Sequence, residues 1–161
     1  MNASRSMIMS GLLVIAAAAS AAAQTATQTV TLQVDAINQV AVTGSPSLTI
    51  TAAVAGNAPT TVTSSGNTWA VTTNQTGAKI TASIGSAMPT GVTLSANLSA
   101  PTGGTSAGLK SLSTSSVDVV TGITKLNESG LALGYQLDAT SAAGVIANTT
   151  RVVTYTITGG A

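Results

Sequence analysis

The sequence predicts an all-β protein, an antiparallel sandwich of about eight to nine strands, and three observations predict it. Apolar and polar residues alternate along many short segments, which is the period of a half-buried strand. Those segments are rich in Thr and Val, whose branched Cβ packs well on a pleated surface and loses rotamer freedom in a helix. Clusters of Gly, Pro, Asn and Ser punctuate the segments at short intervals, and no amphipathic helical period follows residue 23.

Residues 1–23 stand apart from the fold. Arg5 is their single basic side chain, Gly11 to Ala19 is continuously apolar, and Ala21-Ala22-Ala23 places small residues at a cleavage position. These are the three parts of a cleaved secretory signal peptide. The apolar run is shorter than the roughly 20 residues that span a bilayer. The expectation is an exported chain, extracellular, at the cell surface or in the periplasm of a bacterium, and not membrane-spanning after cleavage. Gln24 would then be the mature N-terminus and residues 24–161 one domain of ordinary size. The chain has no Cys, which excludes a disulfide framework although export permits one.

In the stretch QTATQTVTLQVDA, Gln24 to Ala36, residues Ala26, Val30, Leu32 and Val34 share one parity, while Thr25, Thr27, Thr29, Thr31 and Gln33 share the other. It reads as a strand with one dry and one wet face. Ile37 to Val42 continues or bends it, and Gly44-Ser45-Pro46 breaks the run. Leu48, Ile50, Ala52 and Val54 alternate as a second strand, closed by Pro59. A short segment around Val62 ends at Ser64-Ser65-Gly66. Asn67 to Asn74 and Ala78 to Ile84 then form a hairpin through Gln75-Thr76-Gly77, with Trp69, Val71 and Thr73 on one face and Ala78, Ile80, Ala82 and Ile84 on one face.

Val92, Leu94, Ala96 and Leu98 alternate in the next strand, and Pro101 to Gly108 is a loop by composition. Leu109 to Ser113 is a short or irregular segment, and Val117 to Ile123 is a strand. Leu126 to Gly130 turns the chain into Leu131, Leu133, Tyr135 and Leu137. The loop from Ser141 to Asn148 precedes a last strand carrying Val153, Tyr155 and Ile157. Short strands at this spacing indicate a sandwich of the immunoglobulin-like kind. A membrane barrel is the rival architecture, but it needs aromatic girdles, and Trp69, Tyr135 and Tyr155 are the only aromatics.

Chemistry is hard to assemble from these residues. His and Cys are absent, which removes the commonest general base, a common nucleophile and most transition-metal ligand sets. Lys79, Lys110, Lys125 and Arg151 balance Asp35, Asp118, Glu128 and Asp138, so beyond the leader no basic footprint for nucleic acid exists. None of the four carboxylates lies in the dense spacing of a calcium loop, and they read as solvated charges. The expectation is therefore no catalytic residue, no cofactor, no metal and no enzyme. Trp69 reads either as a pin in the core or as a stacking platform for a sugar; its parity with Val71 favours the core. Tyr135 and Tyr155 share parity with Leu133 and Ile157 and read as core residues with hydroxyls at the rim. Asn74, Asn97, Asn127 and Asn148 each begin an Asn-x-Ser/Thr triplet, a pattern that arises by chance in so polar a chain, and they are assigned no role.

The export signal, the alternating TATQTVTLQV, the Cys-free sandwich and the closing RVVTYTIT together resemble bacterial pilin and capsular-fibre subunits of the chaperone–usher type. TWAVTT followed by a Tyr-containing final strand is also similar to surface-layer domains named for a Trp-x-Leu motif, though here it reads Trp69-Ala70-Val71. The first resemblance implies that an N-terminal extension inserts into a neighbouring subunit, with Ala26, Val30, Leu32 and Val34 as its knobs. The same stretch could instead pair with its own sheet beside Arg151 to Thr158. The expected function is a non-enzymatic subunit of a cell-surface appendage or coat, self-associating by strand addition. The competing class is a secreted module that recognises glycan or a protein through its loops.

Overall fold

The computed structural model describes residues 23–160. Two units are distinguished, Met1–Gln33 and Val34–Ala161. The leader reading of residues 1–23 lies outside the described residues, save Ala23.

In the first unit, described residues 23–33 carry no strand and are exposed throughout. The second unit is all-β, with nine strands among the described residues: β1 (Asn38–Thr43), β2 (Val62–Thr73), β3 (Ala78–Ile84), β4 (Val92–Leu98), β5 (Thr105–Ser106), β6 (Lys110–Ser111), β7 (Val117–Ile123), β8 (Leu126–Ala139) and β9 (Val153–Thr158). They form two antiparallel sheets, ordered β1-β2-β8-β4-β6 and β5-β7-β3-β9.

Alternation explains the core. Trp69 and Val71 of β2, Leu94, Ala96 and Leu98 of β4, and Leu133 and Tyr135 of β8 are buried from one sheet. Ala78, Ile80, Ala82 and Ile84 of β3 meet them from the other, with Val119, Val120 and Ile123 of β7. Adjacent Val119 and Val120 are both buried because the β3–β7 register slips between Ile80 and Thr81; such a slip re-aims a side chain that strict alternation would send outward. The β2–β3 hairpin forms as expected, and Gly77 closes it at φ 73°, a conformation that favours glycine.

Four expectations are corrected. No strand forms over residues 24–37, where the alternation predicts one, and among the described residues β9 pairs with β3 only. Alternation describes how side chains sort once a strand is paired, and it supplies no partner. Leu48 to Val54 is likewise not a strand: a single bridge joins Ala53 to Pro59, and only Leu48 and Ile50 tuck partly inward. Ser64-Ser65-Gly66 does not end a strand but forms an irregularity inside β2, whose pairing with β8 jumps between Ser64 and Asn67. Leu126 to Gly130 is the start of the fourteen-residue β8 and not a turn; the reversal comes just before it, where Lys125 takes φ 43°.

Candidate functional site

The two longer edge strands, β1 and β9, draw together at the hairpin end of the molecule. A Cβ added to Gly159 there would lie 2.7 Å from the Asn38 amide nitrogen, and one on Gly160 would overlap the Thr76 carbonyl. The outer edge of β9 has no strand beside it among the described residues. Its inward row shows the consequence. Val153, Tyr155 and Ile157 are only partly buried, whereas Ala78, Ile80, Ala82 and Ile84 on the adjacent β3 are almost wholly buried. A sheet edge of this kind offers unpaired backbone groups and the flanks of three core side chains.

Tyr155 crosses the core from this edge. Its hydroxyl lies 2.9 Å from that of Tyr135 on the opposite sheet. Burial raises both phenol pKa values, and the Tyr135 hydroxyl raises that of Tyr155 further; both groups stay neutral across ordinary pH. The sequence placed these hydroxyls at the rim; in the structure they meet in a part-buried contact that joins the two sheets. Tyr155→Phe is expected to cost about 1–3 kcal/mol, because the Tyr135 hydroxyl loses its partner in a partly buried site. The double Phe variant is expected to recover much of that loss, a non-additivity read from chemical denaturation of all four forms. Strict additivity would show that the two hydroxyls do not interact.

At this same hairpin end, next to the close of β9, an amide cluster gathers where the chain enters β1. The Asn74 side chain donates from Nδ2 to the Asp35 carbonyl at 2.7 Å and accepts at Oδ1 from the Ile37 N–H at 2.8 Å. Its own backbone N–H donates to the Ile37 carbonyl at 3.2 Å. Beside it the Thr73 hydroxyl donates to Asn38 Oδ1 at 2.7 Å and accepts from the Gln75 N–H at 3.1 Å. An open depression of about 560 Å³, lined by residues such as Ile37, Asn74, Lys125 and Leu126, adjoins this cluster and holds no carboxylate.

The sequence-predicted residues distribute as follows. Ala26, Val30, Leu32 and Val34 are exposed, the last three at 67%, 86% and 80%. Trp69 is 1% exposed and offers no face to a sugar ring; its indole Nε1 is buried with no hydrogen-bond partner. Lys79 and Asp118 form a half-exposed ion pair at 3.0 Å, of a kind worth about 0–1 kcal/mol. Glu128 accepts from the Thr102 N–H and Asp138 from Thr61 and Gln136. Among the described residues no group of three acidic, His or Cys side chains is placed to hold a metal.

Sequence reasoning missed Asn74. Its position just before the hairpin turn was legible, but its Asn-Gln-Thr context pointed to a glycosylation triplet, and an amide that serves a distant backbone leaves no mark in local sequence. The fold and site together define an all-β sandwich in which, among the described residues, the outer side of β9 is an edge without a neighbouring strand. No protein family, curated protein or solved structure matches this chain.

Proposed function

We propose that this protein is an exported structural subunit of a bacterial surface appendage or coat, and that it assembles by strand addition through residues 24–36. The observation that carries the reading is a complementary pair. An alternating stretch keeps Val30, Leu32 and Val34 exposed, and β9 presents an unfilled edge with three half-buried inward side chains. An extended segment gains backbone hydrogen bonds on such an edge and buries alternate side chains.

The order of strands supports the same reading. In an immunoglobulin-type sandwich one sheet runs A-B-E-D and the other G-F-C with a further strand beyond C. Here β1-β2-β8-β4 takes the places of the first, and β9-β3 those of F and C, while β7 lies beyond C in the sheet but follows β4 in the chain. The place of G, outside F, is the unfilled edge of β9. A pilin-like subunit with a donated strand fits that arrangement.

The test compares the full chain with one lacking residues 24–35, by electron microscopy and by gels run with and without heating. The full chain is expected to give multimers that heating dissociates, and the shortened chain to give none. Two well-folded monomers at high concentration would end the strand-addition reading.

A further inference from the structure

We infer that Asn74 biases whose edge the N-terminal segment fills: it holds the chain extended at residues 35–37, where the shortest reversal for self-pairing would fall, and so favours placing residues 24–36 on the β9 of a second copy. This inference rests on the strand-addition reading above and adds the residue that makes it intermolecular.

β1 runs away from the hairpin end, since Asn38 pairs with Thr73 and Thr43 with Thr68. β9 runs toward that end, since Val153 pairs with Ile84 and Thr158 with Lys79. The segment before β1 therefore finishes at the end where β9 finishes. Folded back onto its own β9 it could run only parallel to it, and parallel pairing is the weaker kind per residue. The shortest reversal from β9 into β1 would fall just before Asn38.

Those residues are already held. Asn38–Thr73 is the last backbone pair of the β1–β2 ladder, and β2 then turns away into its hairpin. The Asn74 side chain takes the place of the departing backbone: a carboxamide carries one N–H donor face and one carbonyl, as a peptide unit does. It donates to the Asp35 carbonyl and accepts from the Ile37 N–H, while the Asn74 N–H reaches the Ile37 carbonyl. The ladder is thereby extended through residues 35–37. A bend at these residues would break all three bonds.

A second copy has no such restriction, and its segment can run antiparallel to β9. Val30, Leu32 and Val34 then face Ile157, Tyr155 and Val153, large apolar residues at every second position on both strands. In this register Thr31 lies opposite Thr156 on the outward face.

The experiment uses the full chain, which has no Cys. Asn74→Ala is expected to lower the ratio of multimer to folded monomer about tenfold, because the straight path loses its side-chain hydrogen bonds. Asn74→Asp, which keeps the acceptor for Ile37 but loses the donor to Asp35, should give an intermediate ratio without the packing change of Ala. Thr31→Cys with Thr156→Cys should yield a ladder of disulfide-linked multimers on non-reducing gels, since directly paired Cα atoms fall within disulfide range. A multimer ratio unchanged in both Asn74 variants would overturn the role of Asn74 while leaving strand addition intact. Multimers that form without the disulfide ladder would overturn the antiparallel register. Multimers that persist after removal of residues 24–35 would overturn both this inference and the function it rests on.

Discussion

Trp69→Ala is expected to lower the free energy of unfolding by about 3–5 kcal/mol, the range for removing a large buried aromatic. Trp69 heads the largest fully buried side chains and lies in β2 between Val42 of β1 and Leu131 of β8. Its loss opens a cavity where three strands meet, in a core built otherwise of Ala, Val, Leu, Ile and one Tyr. Cores of small residues have few side chains long enough to collapse into such a gap. The orphaned Nε1–H makes Trp69→Phe informative. That change removes a buried donor left without an acceptor, a liability of about 1–3 kcal/mol, while keeping much of the ring. Trp69→Phe is thus expected to cost much less than Trp69→Ala. Both are read by far-ultraviolet circular dichroism in urea, since Trp69 is the only Trp and its fluorescence is lost with it. A loss of less than about 1 kcal/mol in the Ala variant would show that the core does not depend on this side chain.

Gly44→Ala is expected to cost about 2–4 kcal/mol, from backbone strain and overpacking together. Gly44 ends β1 at φ 121°, a region closed to residues with a Cβ. An added Cβ would also lie within overlap distance of Asn67 Oδ1. Asn67 has little room to yield: it is 6% exposed and donates from Nδ2 to Ser64 Oγ at 3.2 Å across the irregularity in β2. The two contributions separate in a second variant. Asn67→Ser in the Gly44→Ala background shortens the opposing side chain and should recover the overlap share but not the strain at residue 44. If the single Ala variant unfolds at the same urea concentration as the parent, the close approach of Gly44 to Asn67 has no energetic weight.

Hairpin β2–β3 and strand β9 were legible because each alternates between strong turn residues, so local pattern and tertiary placement agree; β4 was legible as a strand, although Ser95 is buried between Leu94 and Ala96. Leu48 to Val54 has the same alternation and is no strand: it joins no ladder of either sheet, and a single bridge from Ala53 to Pro59 is its pairing. The start of β8 misled in the opposite sense. Asn127-Glu128-Ser129-Gly130 has turn composition, yet pairing of Leu126 to Glu128 with Val71 to Thr73 draws it into the sheet. The buried Trp69 and Tyr135 were legible from parity, whereas the contact between the Tyr135 and Tyr155 hydroxyls was not, because sheet assignment decides which strands face each other.

The sequence by itself determined that the chain is all-β, that its core is apolar and Cys-free, and which face of most strands is dry, because these follow from the two-residue period of a half-buried strand, broken only locally by slips such as that in β7. Only the tertiary structure decided which edges remain open. Hydrogen-bond partners in a sheet are set by residues far apart in the chain, so the unfilled side of β9 and the hold of Asn74 on residues 35–37 exist only once β1, β2, β3 and β9 are brought together.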